Sequence, residues 1–156
     1  MFSYIFFIFL LLSATLCAIL ISVADFRRRI IPDAYLFPLM LIGLILIGFY
    51  TFPISIQQAA IGATFGYIMS ATIGFIFDTI MRRKNPKSDT PIGMGDIKLL
   101  GVGGMWLGLS GLAVALIIAC ISGAIWARTH NQRFIPFAPF FFIGGFLSLL
   151  HNLFLL

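Results

Sequence analysis

Pro91-Ile92-Gly93-Met94-Gly95-Asp96-Ile97-Lys98 decides how this chain is read. The stretch sets a carboxylate behind two glycines at the head of an apolar run. A charged group there is costly in lipid, and acids inside a membrane mark functional sites that need a partner or water. The glycines make the turn into a helix. A backbone without Cβ atoms also lets an extended peptide lie close beside the acid, so Gly93 and Gly95 are candidate substrate-binding positions.

Outward from that stretch the chain is almost wholly apolar. Of its 156 residues, 61% are hydrophobic and 10% charged, with a mean hydropathy of +1.10. A soluble domain has about 25% charged residues, so too little polar surface exists here to cover a globule in water. The composition predicts one integral membrane domain over 1–156. Hydropathy gives six apolar segments, at 2–24, 34–52, 56–80, 94–109, 111–127 and 136–155. A spanning helix needs about 20 residues, so the fourth is short. The first carries no basic lead-in and is too long for a secretory signal, so a retained helix is expected.

With six spans, all ten basic residues fall on one side of the membrane, among them Arg27, Arg28, Arg29, Arg82, Arg83, Lys98 and Arg128. The opposite loops carry no charge. Positive charge collects on the cytoplasmic side, which puts both termini outside. The net charge of +5 is then a topology signal and not a nucleic-acid footprint.

Only five acidic residues exist, all aspartates. Asp25 closes segment one and Asp96 opens segment four, so the topology sets both at the cytoplasmic face. Two carboxylates brought together do not both ionise easily, so one keeps a proton and the pair titrates as a unit. The charged member can take a proton from water while the protonated one polarises a carbonyl. That is peptide hydrolysis without a metal or a cofactor. The bland alternative is two interfacial acids that end or cap helices near arginines.

Segment three repeats small residues at Gly62, Gly66, Ser70 and Gly74, ending on Asp78, and segment four carries Gly101, Gly104, Gly108 and Gly111. Such spacing lets helices approach closely in lipid. Asp78 either lines the site or pairs with Arg82 or Arg83 on its own helix. Asp33 follows Pro32 and suits a helix N-cap. Lys98 either reaches lipid phosphates or contacts substrate. His130 and His151 lack metal-ligand spacing, and Cys17 and Cys120 belong to no paired motif. The polar stretch 82–90 is expected to be a loop.

Gly93-Met94-Gly95-Asp96-Ile97-Lys98 resembles the GxGD motif of type IV prepilin peptidases, in its GxGDxK form. Asp25-Phe26-Arg27-Arg28-Arg29-Ile30-Ile31-Pro32-Asp33 is similar to their other motif, an aspartate followed by a basic stretch and Ile-Pro-Asp. Ile135-Pro136-Phe137-Ala138-Pro139 resembles their Pro-Phe-Gly-Pro segment, with Ala138 in place of the glycine. The resemblance runs in order along nearly the whole chain. It implies an aspartic endopeptidase of the bacterial inner membrane, with Asp25 and Asp96 catalytic. Its substrates would be prepilins or pseudopilins, cut after a glycine that ends a basic leader, and pilus or secretion assembly proteins are candidate partners. Longer members add an N-terminal region and N-methylate the product; the chain resembles the short, peptidase-only type of tight-adherence systems.

The expected arrangement lays the substrate's apolar helix against the small-residue faces, with its leader in the cytosol. Three rivals remain: a small proton- or ion-coupled transporter using the same acids, an inert assembly scaffold, and a presenilin-like GxGD protease. Both acids sit at one edge and no inverted repeat is visible, whereas transporters favour midplane acids and broken helices.

Overall fold

A computed structural model describes residues 2–84, 92–130 and 135–154. Most of the loop expected over 82–90 lies outside them, as do Lys87, Pro91 and Arg133. The described residues form five helices: α1 Phe2–Arg28, α2 Asp33–Phe49, α3 Ile56–Lys84, α4 Met94–His130 and α5 Phe137–Phe154. Helices satisfy every backbone group within the segment, which an apolar surrounding demands. Several hydroxyls obey the same rule. Ser13, Thr15 and Ser22 of α1 each donate to the carbonyl four residues back, at 2.8 Å.

Local chemistry sets the helix ends. Arg29 stops α1 with φ at 56°, and its N–H donates to the Asp25 carbonyl at 2.9 Å; a left-handed residue is a common helix terminator. Pro32 then caps α2 through its carbonyl, with no side-chain cap. The N-cap role expected of Asp33 is therefore not filled; Asp33 is the first helical residue. At α3, the Ser55 N–H donates to Gln58 Oε1 at 3.0 Å and the Gln58 N–H to Ser55 Oγ at 3.3 Å. That reciprocal pair is a capping box.

Segments four and five are joined in α4. A straight helix of its 37 residues would run roughly 55 Å. Yet Gly95 near its start packs on Ile31, and Trp126 near its end lies 5.8 Å from the Phe26 ring. The helix therefore doubles back, and it does so at Gly108, where φ is 66° and ψ −176°. Only glycine adopts that region without strain. The expected break at 109–111 falls one residue earlier.

The two arms of α4 and the four other helices all run between the same two ends. One end gathers Ser3, Tyr50 and Gly108; Tyr50 Oη donates to the Ser3 carbonyl at 3.3 Å. The other gathers Asp25, Ile31, Asp96 and the start of α5. Ile21, Leu36, Leu46, Leu99, Leu112 and Phe141 form the sealed core. Phe9, Phe49, Phe75, Ile117 and Phe146 point outward, an apolar exterior unlike that of a soluble protein. Three helices, α1, α3 and α4, are long and apolar enough to cross a membrane.

The small-residue stripes meet each other. A Cβ on Gly62 would strike the Gly104 carbonyl, one on Gly66 the Leu100 carbonyl, and one on Gly104 the Gly62 carbonyl. These faces are spent on the α3–α4 seam and are not free for a substrate helix.

Candidate active site

The last full turn of α1 carries Asp25, whose side chain is 5% exposed. Ala138, in the first turn of α5, donates its N–H to Asp25 Oδ2 at 2.7 Å, and the Phe137 N–H also reaches the carboxylate. The start of α5 thus points free N–H groups, and the positive end of its dipole, at an acid 113 residues away. Arg29, one turn further on, adds positive charge to the same carboxylate. Its guanidinium sits 5.8 Å from the centre of the Trp126 ring, within cation–π range.

Asp96 is the third residue of α4. Its carboxylate folds back over Gly93, close enough that a Cβ there would lie 3.3 Å from Oδ2, and the Gly93 N–H bonds it. This is the acidic half of a capping box, and it fixes the side chain at the helix mouth. Gly95 faces the other way. A Cβ on it would stand 2.9 Å from Ile31 Cβ, so the glycine lets the head of α4 press against the α1–α2 turn. That contact carries Asp96 to the Asp25 end of the bundle. The two carboxylates interact electrostatically.

The acids nevertheless stand on helices that keep apart. Among the described residues no Cα of α1 comes within 8 Å of a Cα of α4, although α2 and α5 each touch both. An apolar groove of about 930 Å³, open to the outside along part of its length, runs between α1, α4 and α5. Its upper lining includes Ser22 and Val23 beside Asp25, Leu99 beside Asp96, and Pro139 beside Ala138.

The other predicted residues divide. Lys98 Nζ bonds Asp33 Oδ2 at 2.6 Å and ties α4 to the start of α2. Asp78 receives Arg82 Nε at 2.8 and 2.9 Å, an ion pair within α3. Gly93 is exposed and borders Asp96. His130 is exposed and stacks on Trp126, ring centres 4.6 Å apart. Among the described residues no three His, Cys, Asp or Glu side chains gather as a metal site requires. The sequence reading missed Trp126 and the use of Ala138; only the Pro136-Phe137-Ala138-Pro139 segment signalled the latter.

The profile of the type IV leader peptidase family matches residues 10–128. The chain belongs to that family. Among its relatives is the prepilin leader peptidase/N-methyltransferase of Dickeya chrysanthemi, 32% identical over 152 residues, which cover 91% of this chain and 51% of that protein. The protein of the same name from Aeromonas salmonicida is 32% identical over 135 residues, covering 81% and 43%. That from Pseudomonas aeruginosa is 31% identical over 136 residues, covering 83% and 44%. This leader peptidase family member thus spans about half the length of the curated relatives it matches. No solved structure gives a significant match.

Proposed function

We propose that this chain is an aspartic endopeptidase that removes the leader from prepilins or pseudopilins, with Asp25 and Asp96 holding and activating one water between them. The observation that carries the reading is the meeting of the two acids at one end of the bundle, from helices that leave a gap between them. A water in that gap loses a proton to the charged carboxylate and attacks the scissile carbonyl, which the protonated partner polarises. Family membership and the relatives' names support the substrate class. The transporter alternative draws no support from either.

In this reading the chain lies in the bacterial inner membrane as six spans, the two arms of α4 counting separately, with both termini outside and the acids at the cytoplasmic face. The doubling back at Gly108 and the placement of the basic residues support that topology. The exposed Gly93 edge receives the extended backbone around the cut. The small-residue faces being spent, the apolar cavity below the acids is the space left for the head of the substrate's helix.

The test is cleavage of a membrane reporter carrying a basic leader, a glycine and an apolar helix. Asp25→Asn and Asp96→Asn should each lower the rate by about 10²–10⁴-fold while leaving the amount of folded protein unchanged. Full activity in either variant ends the proposal.

A further inference from the structure

Both acids sit at a helix mouth, but their surroundings differ. Asp25 receives the Ala138 and Phe137 N–H groups and lies under the charge of Arg29. Asp96 receives one N–H, from Gly93, and otherwise faces the like charge of Asp25. Burial opposes the charged form of both acids; hydrogen bonds to a carboxylate offset that cost, and a neighbouring negative charge adds to it. The pair is therefore not symmetric.

We propose that Ala138, through its main-chain N–H, positions Asp25 as the charged member of the pair and leaves the shared proton on Asp96. This rests on the peptidase reading above and divides the labour within it. Asp25 takes the proton from water, and Asp96 donates to the carbonyl oxygen. When the bond breaks, the proton held by Asp25 passes to the leaving amine, and Asp96 regains its own from the collapsing intermediate. No atom beyond water and peptide is needed. Ala138 is a positioning residue: it touches no reacting atom and acts only through Asp25 Oδ2. Its 0% exposure keeps water from replacing the donor. Pro139 and Pro136 on either side of the Phe137-Ala138 pair have no N–H to offer, which restricts the donors to these two residues.

Among the described residues, the charged and titratable groups facing Asp25 are few. Just past the end of α1 there is Arg29, and on α4 Asp96. The Phe137-Ala138 start of α5 contributes none. Lys98 is held by Asp33, and His130 stacks on the Trp126 ring. A pH profile of cleavage therefore reports mainly on the pair.

The test compares Ala138→Pro with Ala138→Val and Ala138→Gly in the same membrane reporter assay, over a range of pH. Proline removes the N–H yet suits the first turn of a helix. Valine adds similar bulk and keeps the N–H, and glycine keeps the N–H without bulk. In the proline variant alone, the acid limb of the rate profile should move about one unit towards higher pH, with the alkaline limb unmoved. Movement of the alkaline limb instead assigns the proton to Asp25 and overturns the proposal. So does a proline profile that coincides with those of valine and glycine. Loss of activity in both asparagine variants with an unchanged proline profile would remove this inference and leave the peptidase reading standing; an active asparagine variant would remove both.

Discussion

The α3–α4 seam and the gap between α1 and α4 are built on opposite plans. At the seam, Gly62, Gly66 and Gly104 let two backbones meet with no side chain between them. Packing of that kind is what holds helices together where both helix and solvent are apolar. Across the gap, no Cα of α1 comes within 8 Å of one of α4 among the described residues; the two meet only through side chains such as Phe26 and Trp126, beside an apolar groove of about 930 Å³. Each acid stands on one side of that gap. The rigid contact fixes α4 so that Asp96 has a defined place, and the open one leaves the room that the proposed substrate would need. Stability and access are thereby given to different helix pairs.

The sharpest way to break the contrast is to put a side chain into the seam. A Cβ on Gly104 would collide with the Gly62 carbonyl, and backbone oxygen cannot rotate aside. Gly104→Val should cost at least about 3 kcal/mol, the upper end of overpacking effects, seen as loss of folded protein and a lower thermal midpoint in detergent. Gly48→Ala is the control: among the described residues nothing lies within 4 Å of a Cβ there. Alanine at this helical position should stabilise by about 0.5–1 kcal/mol. Equal behaviour of the two variants would mean that the seam is not the rigid element.

Filling the gap should do the reverse. Ala18 lines the cavity on α1, about two turns below Asp25. Ala18→Trp is expected to raise KM for the membrane reporter about tenfold, or ~1.4 kcal/mol, with kcat and the thermal midpoint little changed. A soluble peptide with the same leader and cut site, lacking the apolar helix, should be cleaved as before. If both substrates lose equally, the tryptophan has disturbed the acids and the cavity is not a helix seat.

The seam was legible in the sequence and the gap was not. Glycines at fourfold spacing announce a close approach, and an acid in an apolar run announces itself by its cost. The α3–α4 stripe could thus be read directly, and Asp25 and Asp96 stood out as the acids to follow. The cavity is lined by the same leucines, valines and phenylalanines as the core, so composition cannot separate a filled space from an empty one. The donor to Asp25 escaped for another reason: a main-chain N–H has no residue type, and Ala138 lies 113 positions away. The reversal inside α4 carries no charged residue or proline to mark it, only Ser110 and one glycine among several, and was placed at 109–111 instead of at Gly108. Asp33 looked like a cap because it follows a proline, but its oxygen is taken by Lys98, 65 residues on.

That last pair gives the smallest expected effect and the finest distinction. Lys98 was a candidate for holding substrate; in the structure it holds Asp33 at 2.6 Å, with side chains 36% and 46% exposed. Pairs so open to water contribute about 0.2–1 kcal/mol and weaken with salt. Lys98→Met keeps the apolar stem and removes the charge, so a purely structural pair predicts a loss of that size in stability and less than about fivefold in cleavage. Asp33→Asn should then cost the same, and the double variant no more than either alone, since one interaction is lost only once. If Lys98→Met instead slows cleavage far more than Asp33→Asn does, the ammonium leaves its partner when substrate arrives. The fixed part of α4 would then begin only at the seam, at Leu100 and Gly104, and the head of the helix that carries Asp96 would belong to the part that moves.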